Sequence, residues 1–271
     1  MKITVIQPSY YAGERPDETI AAFLLDELER APEGGLIVLP EYSNAGGLSD
    51  KQAELAALSR TPGMLARAAE VAKQKKSYVV INVLEQREGE IKNSSYLFDK
   101  QGEVAFVYNK QHLPPSEVDL GVTAGEPDGR CRCTCEVDGI RFAFMTCYDV
   151  YFNEQIEYIA QYKPDVIAIP GYQRGERTDI IEAQAKLTAF RCNAVVARSS
   201  YSMGTAERGG NSMIVSCEGE ILANLREQVG QVTCEVDLSH KYMRPAGFGQ
   251  PPVRNDDFIN AGLCPEAFEK G

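Results

Sequence analysis

The sequence predicts an α/β fold in which mixed β-structure is covered by helices, and two observations support this prediction. Short β-branched runs, such as residues 35–40 and 165–170, alternate with amphipathic helical patterns along the chain. A hairpin-like pair of runs, SYLFDKQGEVAFVYN, interrupts the alternation at the Gly102 turn. Because alternation is typical of parallel strands and a hairpin requires an antiparallel pair, the two together indicate a mixed sheet.

Ten runs are predicted as strands and four longer segments as helices. The strands are expected at residues 3–7, 35–40, 77–85, 94–99, 103–110, 139–146, 165–170, 193–200, 211–217 and 231–238. The helices are expected at residues 16–31, 61–76, 153–163 and 178–193. Since there is no tandem repeat and no low-complexity linker, residues 1–271 are predicted to form one domain. An extension from about residue 240 is expected to wrap the surface or a dimer contact.

Composition excludes several classes of partner. The formal net charge of −11 argues against nucleic acid or an anionic membrane, because both attract a basic face. No apolar stretch approaches the roughly 18 residues that a membrane helix needs. Eight cysteines in 271 residues are expected to be free thiols, which favours the cytoplasm.

Several common chemistries are absent from the sequence. It contains no GxSxG elbow, no GxGxxG at the start of a helix and no GxxxxGK[ST] phosphate loop. A mechanism with histidine would have to use His112 or His240. The run CRCTC at 131–135 is expected to pack as a strand and to hold no metal, because alternate positions lack tetrahedral ligand spacing.

Three chemically active side chains follow apolar, strand-like runs. Cys147 follows GIRFAFMT, Glu41 follows GLIVLP, and Lys110 follows VAFVYN. A cysteine alone at a strand end is more often a buried, inert thiol. However, a thiol, a carboxylate and an amine at three strand ends provide a nucleophile, a base and an acid without any histidine.

The three segments around these residues resemble the catalytic segments of the nitrilase superfamily of carbon–nitrogen hydrolases. They are LIVLPEYSNAGG, VYNKQHLPPSE and FMTCYDVYFNE. The resemblance implies a four-layer αββα sandwich of two mixed sheets flanked by helices, usually dimeric. It also implies that neither a metal nor an organic cofactor is needed.

The resemblance further implies a role for each matched residue. Glu41 would be the general base, Cys147 the nucleophile, and Lys110 the electrophilic and acid partner. Glu117 matches a second glutamate that helps to position the substrate and the lysine. We expect the Lys110 ammonium to lower the pKa of the Cys147 thiol while Glu41 accepts its proton. Lys110 and the backbone N–H of Tyr148 would then stabilise the oxyanion.

Substrate specificity is expected in the loops that follow the strand ends. Tyr42, Tyr148 and the segment GYQRGER at 171–177, which includes Tyr172, are predicted to form the pocket wall. Arg174 and Arg177 either pair with a substrate carboxylate or are solvated loop arginines.

The predicted function is hydrolysis of a small linear amide or N-carbamoyl compound through a cysteinyl thioester. N-carbamoyl-D-amino-acid hydrolases tend to have an arginine pair just after the nucleophile, where this chain has Val150 and Tyr151. This difference argues against an N-carbamoyl-D-amino acid as the substrate. One alternative is a true nitrilase acting on R–C≡N, although its usual tryptophan after the cysteine is here Tyr148. Another alternative is a catalytically silent binding subunit. The presence of all four catalytic residues argues against it.

Overall fold

Two six-stranded sheets pack face to face in the computed structural model, which describes residues 1–126 and 128–264. In chain order, the strands are β1 Lys2–Gln7, β2 Gly35–Val38, β3 Tyr78–Arg87, β4 Glu90–Phe98, β5 Val104–Asn109, β6 Thr134–Val137, β7 Ile140–Phe144, β8 Val166–Pro170, β9 Val195–Ser199, β10 Met213–Val215, β11 Ile221–Asn224, β12 Gly230–Glu235, β13 Met243–Arg244 and β14 Val253–Arg254. The helices are α1 Pro16–Arg30, α2 Lys51–Ala57, α3 Thr61–Lys75, α4 Pro115–Leu120, α5 Asn153–Tyr162, α6 Thr178–Cys192 and α7 Asn255–Asn260.

The strand order makes each sheet a mixed one. The first sheet runs β12-β1-β2-β3-β4-β5 and the second runs β11-β10-β9-β8-β7-β6. The central strands β1, β2 and β3 are parallel, as are β7, β8 and β9, while the outer pairs in both sheets are antiparallel. β2 and β8 are buried along their whole length, as expected for parallel strands covered on both faces.

Helices cover the outer face of each sheet and complete four layers. Helices α1 and α3 pack apolar side chains such as Leu24 and Val71 onto the first sheet. Helices α5 and α6 do the same on the second sheet with residues such as Ile159 and Ala185. Helix α1 begins with Pro16 and two acidic residues and ends with Arg30, which suits its backbone dipole. The predicted αββα sandwich is confirmed.

The topology brings three strand ends to one region. β5 is antiparallel to β4, and β4 is antiparallel to β3, so β5 runs in the same direction as β2 and β3. The carboxyl ends of β2 and β5 therefore share one edge of the first sheet. β7 reaches the same region from the second sheet, where its carboxyl end leads into the 3-10 turn Cys147–Tyr151.

All ten predicted strands and all four predicted helices are present, with bounds that shift by a few residues. The short helices α2, α4 and α7 were not predicted, because each has seven residues or fewer and shows no clear helical period. The strands β11, β13 and β14 were not predicted either. The CRCTC prediction is wrong in part: β6 starts only at Thr134, so Cys131 and Cys133 precede the strand. The hairpin turn at Gly102 is confirmed, with φ of 80°.

The segment after residue 240 packs against the helical layer of the second sheet. Asn193, which ends α6 in a left-handed conformation, donates to Asp256 at 2.9 Å, and Asn255 donates to the carbonyl oxygen of Phe190 at 2.5 Å. That 1–271 forms one domain stays a prediction, and residues 265–271 lie outside the described part. Among the described helices, none is both long and apolar enough to cross a membrane.

Candidate active site

Glu41 is placed by the turn that follows β2. Its side chain is buried, with 1% of the residue exposed. The next residue, Tyr42, has a left-handed backbone at φ 55°, and its N–H donates to Asn82 Oδ1 at 2.8 Å. The hydroxyl of Tyr201, from the loop after β9, donates to the carbonyl oxygen of Glu41 at 2.7 Å. The second sheet thus helps to fix the position of the carboxylate.

Lys110 lies between two carboxylates. Its Nζ atom is 2.8 Å from Glu41 Oε1 and 2.9 Å from Glu117 Oε1. Asn93 bridges the same two acids from β4, since its Nδ2 donates to both at 2.8 Å. Tyr42 Oη also donates to Glu117 Oε1 at 2.6 Å. Four predicted site residues, Glu41, Tyr42, Lys110 and Glu117, are therefore joined in one buried network.

Pairing with acidic neighbours keeps the buried Lys110 side chain charged. Burial by itself would lower the pKa of Lys110, but Glu41, Cys147 and Glu117 together raise it above its ordinary value. Burial raises the pKa of Glu117, and Glu41 adds to the rise while Lys110 opposes it. Lys110 is consequently held as an ammonium between the two carboxylates.

Cys147 begins the 3-10 turn after β7 with a strained backbone. Its φ of 47° lies in the left-handed region, which is uncommon for a side chain other than glycine, asparagine or aspartate. The turn is held by a reciprocal cap: the Thr146 hydroxyl accepts the N–H of Asp149, while Asp149 Oδ2 accepts the N–H of Thr146 at 2.8 Å. The conformation of Cys147 is thus fixed by its neighbours.

Asp149 is the hub of the hydrogen bonds beneath this turn. Besides the Thr146 N–H, it accepts the hydroxyl of Tyr108 at 2.7 Å and the backbone N–H of His112 at 2.9 Å. His112 Nδ1 lies 2.9 Å from Asp149 Oδ1, and the His112 ring stacks on Phe152. His112 therefore ties the Lys110 loop to the Cys147 turn.

The pKa of the Cys147 thiol differs from the sequence-based expectation. Burial raises this pKa well above the ordinary value, and the nearby Glu41 carboxylate raises it further. Lys110 lowers it, as expected, but its effect is outweighed. The resting thiol is therefore protonated beside a carboxylate that can accept the proton.

A cavity of about 580 Å³ opens onto these groups. Among its lining residues are all the residues predicted for the site: Glu41, Tyr42, Lys110, Glu117, Cys147, Tyr148, Tyr172 and Arg174. The wall is fixed in part by Gly47, whose N–H donates to Tyr172 Oη at 3.0 Å. Gly47 has φ 78°, and a Cβ atom there would lie 2.6 Å from Pro16, so a larger residue would disturb the wall.

The two arginines of the GYQRGER segment are separated by the structure. Arg174 lies at the cavity, with its guanidinium 4.8 Å from the Tyr172 ring centre and 5.0 Å from that of Tyr10. Arg177 is exposed and pairs with Asp179 at 2.6 Å outside the cavity lining. A role for Arg177 in substrate binding is therefore not supported.

Asn93 and Asp149 were not predicted as site residues. Each carries a sequence signal in retrospect: Asn93 is a polar residue inside the buried strand β4, and Asp149 follows the cysteine by two positions. Both are buried. Asn93 donates to Glu41 and Glu117 and accepts from Asn82, while Asp149 accepts the N–H of Thr146. Within residues 1–126 and 128–264, no group of three histidine, cysteine or acidic side chains is arranged to hold a metal ion.

Comparison with known proteins finds a matching family model and similar sequences. The family model described as carbon–nitrogen hydrolase matches residues 14–246. A 2-oxoglutaramate amidase from Bacillus subtilis (strain 168) is 26% identical over 232 residues, which cover 83% of this chain and 86% of the relative. A second protein of that name, from Paenarthrobacter nicotinovorans, is 25% identical over 266 residues, covering 94% and 89% of the two chains.

Solved structures share the fold at lower sequence identity. An amidase from Nesterenkonia sp. AN1, solved as a double mutant with acrylamide, superposes with a TM-score of 0.73. It is 18% identical, and the match covers 88% of this chain and 90% of that one. A carbon–nitrogen hydrolase from Helicobacter pylori G27 gives a TM-score of 0.71 at 19% identity, covering 88% and 89%.

Proposed function

Since the chain belongs to the carbon–nitrogen hydrolase family, we propose that it is an amidase acting through a thioester on Cys147. Its substrate would be a small linear amide or N-carbamoyl compound. Family membership confirms the predicted class of enzyme, a carbon–nitrogen hydrolase. One observation carries the finer proposal: Cys147, Glu41, Lys110 and Glu117 meet at a single cavity.

In the first half-reaction, Glu41 takes the proton of the Cys147 thiol as sulfur attacks the amide carbon. The raised pKa of the thiol means that proton transfer accompanies attack, so Glu41 is needed as a base. A carbon–sulfur bond forms, and the carbonyl π-electrons move to oxygen. Glu41 then gives its proton to nitrogen, the carbon–nitrogen bond breaks, and ammonia leaves a thioester behind.

Two donors are available for the developing oxyanion. Lys110 supplies a buried ammonium whose charge is maintained by Glu41 and Glu117. The backbone N–H of Tyr148 lies in the first turn of the 3-10 segment and has no acceptor among the described residues. Preorganised donors of this kind commonly contribute about 10²–10³ in kcat.

The second half-reaction uses the same base. Glu41 removes a proton from water, whose oxygen attacks the thioester carbon. The carbon–sulfur bond breaks, the Cys147 sulfur takes back a proton, and a carboxylic acid is released. The cycle leaves Glu41, Lys110 and Cys147 in their initial states, so it needs no cofactor.

Glu117 and Arg174 are suited to hold the two ends of a substrate. Glu117 Oε2 is buried and has no hydrogen-bond partner among the described residues, so it can accept from a substrate amide N–H. Arg174 lines the same cavity and can pair with a substrate carboxylate. The relatives named for 2-oxoglutaramate support this pairing, since that name denotes an amide that also bears a carboxylate.

We also infer a homodimer in the cytoplasm. The exposed apolar side chains of Tyr158 on α5 and Leu187 on α6, with 48% and 59% of each residue exposed, offer a surface for a second copy. Sedimentation of the wild-type protein beside Leu187→Glu measures the oligomeric state. A shift of the variant from dimer to monomer is expected, and a monomeric wild type would contradict the inference.

An ammonia-release screen over linear amides, ureido acids and nitriles tests the proposed function. Release from an amide or ureido acid is expected, and Cys147→Ala should abolish it while far-ultraviolet circular dichroism shows the fold unchanged. Activity confined to nitriles would favour the nitrilase alternative. A wild-type protein inactive on all three classes would favour a silent binding subunit.

A further inference from the structure

The mouth of the cavity carries charged groups that take no part in the proposed bond-breaking steps. The cavity is lined by five acidic and three basic residues. Lys110, Glu41 and Glu117 belong to the reaction centre. The remaining charged residues are Lys51, Glu54, Asp119, Arg174 and Glu176.

Arg174 presents an unpaired cation at this mouth. Its guanidinium donates to Tyr10 Oη at 2.5 Å and lies against the rings of Tyr10 and Tyr172. In the part of the chain that the structure describes, no carboxylate forms an ion pair with it. The aromatic contacts orient the planar guanidinium, and its remaining N–H groups are free to bind a carboxylate bidentately.

Glu54 presents an unpaired carboxylate in the same cavity. It lies on α2 and is half-buried. No described side chain or backbone N–H donates to its carboxylate, and no described cation pairs with it. Burial raises the pKa of Glu54, while the charge of Arg174 opposes this rise, so the two groups lie within electrostatic range of each other. A half-buried carboxylate without a protein donor is open to pairing with a bound cation.

The other charged residues of the mouth are already engaged or less suited. Glu176 accepts the hydroxyl of Tyr151 at 2.6 Å and the backbone N–H of Arg177 at 3.0 Å. The Lys51 ammonium donates to the backbone carbonyl oxygen of Asp119. The Asp119 carboxylate also has no described partner, but it is exposed, whereas Glu54 is half-buried. Arg174 and Glu54 are therefore the pair of opposite charges better suited to meet a ligand.

We propose that the substrate is a linear ω-amide of an α-amino acid, with its carboxylate on Arg174 and its ammonium on Glu54. The amide group at the other end would then lie at Cys147, in the same cavity. This inference rests on the proposed amide hydrolysis. A zwitterionic head supplies both missing charges at once, so each ion loses its water shell against a partner of opposite sign.

The reaction leaves the α-carbon of such a substrate unchanged. The side-chain carbon–nitrogen bond breaks, ammonia departs with the proton from Glu41, and water supplies the second carboxylate oxygen. The products are ammonia and an acidic amino acid.

The test compares amides that differ only in the head group. The zwitterionic probes are L-glutamine and L-asparagine. Their des-amino counterparts are glutaric and succinic acid monoamide, their 2-oxo counterparts are the corresponding 2-oxo acid amides, and their descarboxy counterparts are 4-aminobutanamide and 3-aminopropanamide. We expect kcat/KM for at least one zwitterionic amide to exceed each of its counterparts by about tenfold or more, equivalent to one ion pair of about 1.4 kcal/mol.

Two variants test whether Glu54 and Arg174 produce the preference for a zwitterionic amide. Glu54→Gln should lower the ratio of kcat/KM between the zwitterionic and des-amino amides by about tenfold. Arg174→Met should lower the ratio between the zwitterionic and descarboxy amides to a similar extent. Glu176→Gln is the matched control, since it removes the same charge from the same cavity mouth, and it should leave both ratios at the wild-type value.

The outcomes separate this inference from the proposed function. Turnover of 2-oxo or des-amino amides in preference to the zwitterions would overturn the inference and support amide hydrolysis. An unchanged ratio in Glu54→Gln would likewise overturn the role of Glu54. Ammonia release from ureido acids alone would overturn the inference and leave the proposed function standing. If neither an amide nor a ureido acid releases ammonia, in this series or in the wider screen, the proposed function fails and the inference fails with it.

Discussion

Replacing Lys110 with methionine removes the cation from between two buried carboxylates. Lys110 is 1% exposed and contacts Glu41 and Glu117 at 2.8 and 2.9 Å. Breaking a buried ion pair by removing one partner typically costs about 3–5 kcal/mol. Asn93 and Tyr42 continue to donate to Glu117 in the variant, so we expect a loss of about 3 kcal/mol at neutral pH.

The stability of the Lys110→Met variant should depend on pH and should be greater at lower pH. Without the ammonium, burial and mutual repulsion raise the pKa of one carboxyl above its unfolded value. Burial and Glu41 already raise the pKa of Glu117 in the wild type. The folded variant then binds more protons than the unfolded chain, so its stability rises as pH falls from about 7 to about 5. This slope should be steeper in the variant than in the wild type.

Urea unfolding followed by circular dichroism measures these effects, since the chain has no tryptophan for fluorescence. Adding Glu117→Gln to Lys110→Met should restore at least about 1 kcal/mol, because one buried charge is removed. Lys51→Met is the matched control on an exposed lysine, with an expected change within about 0.5 kcal/mol. A Lys110→Met variant within about 1 kcal/mol of wild type at neutral pH would refute the electrostatic account of the site.

Two further predictions concern the residues that support the site. Asn93→Ala removes both donors that bridge Glu41 and Glu117, so kcat should fall by about tenfold or more, and an unchanged kcat would contradict the positioning role. The pKa of His112 is raised above 6.5 despite its burial, chiefly by its hydrogen bond to Asp149, so its contribution to stability is complete at low pH and lost as pH rises through the raised value. His112→Gln should therefore weaken the dependence of the unfolding free energy on pH between about pH 6 and pH 8. A pH dependence equal to that of wild type would contradict this.

The sequence predicted the long, periodic elements well because their burial leaves a clear pattern. β2 and β8 read as continuous apolar runs, since both faces are covered in the sandwich. Glu41, Lys110 and Cys147 drew attention together because each follows a strand-like run, and their expected roles came from the resemblance of the three segments to the nitrilase superfamily. Short helices such as α2 have too few turns to show a period, although α2 carries Glu54 into the cavity.

Features that depend on tertiary contacts could not be predicted from the sequence. The pKa of Cys147 was expected to be lowered by Lys110, but the result depends on burial and on how near Glu41 lies. Likewise, Arg174 and Arg177 are three positions apart and chemically identical, yet only Arg174 meets the cavity. Neither the environment of the Cys147 thiol nor the position of each arginine relative to the cavity can be read from the spacing of residues along the chain.

The most direct test of the central claim is to find the acyl group on the enzyme during turnover. Wild-type protein is mixed with an accepted amide, quenched in acid, digested and analysed by mass spectrometry. The account predicts an acyl adduct on the peptide that contains Cys147, released by hydroxylamine as expected for a thioester. An adduct on a different residue, or turnover retained by Cys147→Ala, would contradict the claim that Cys147 is the nucleophile.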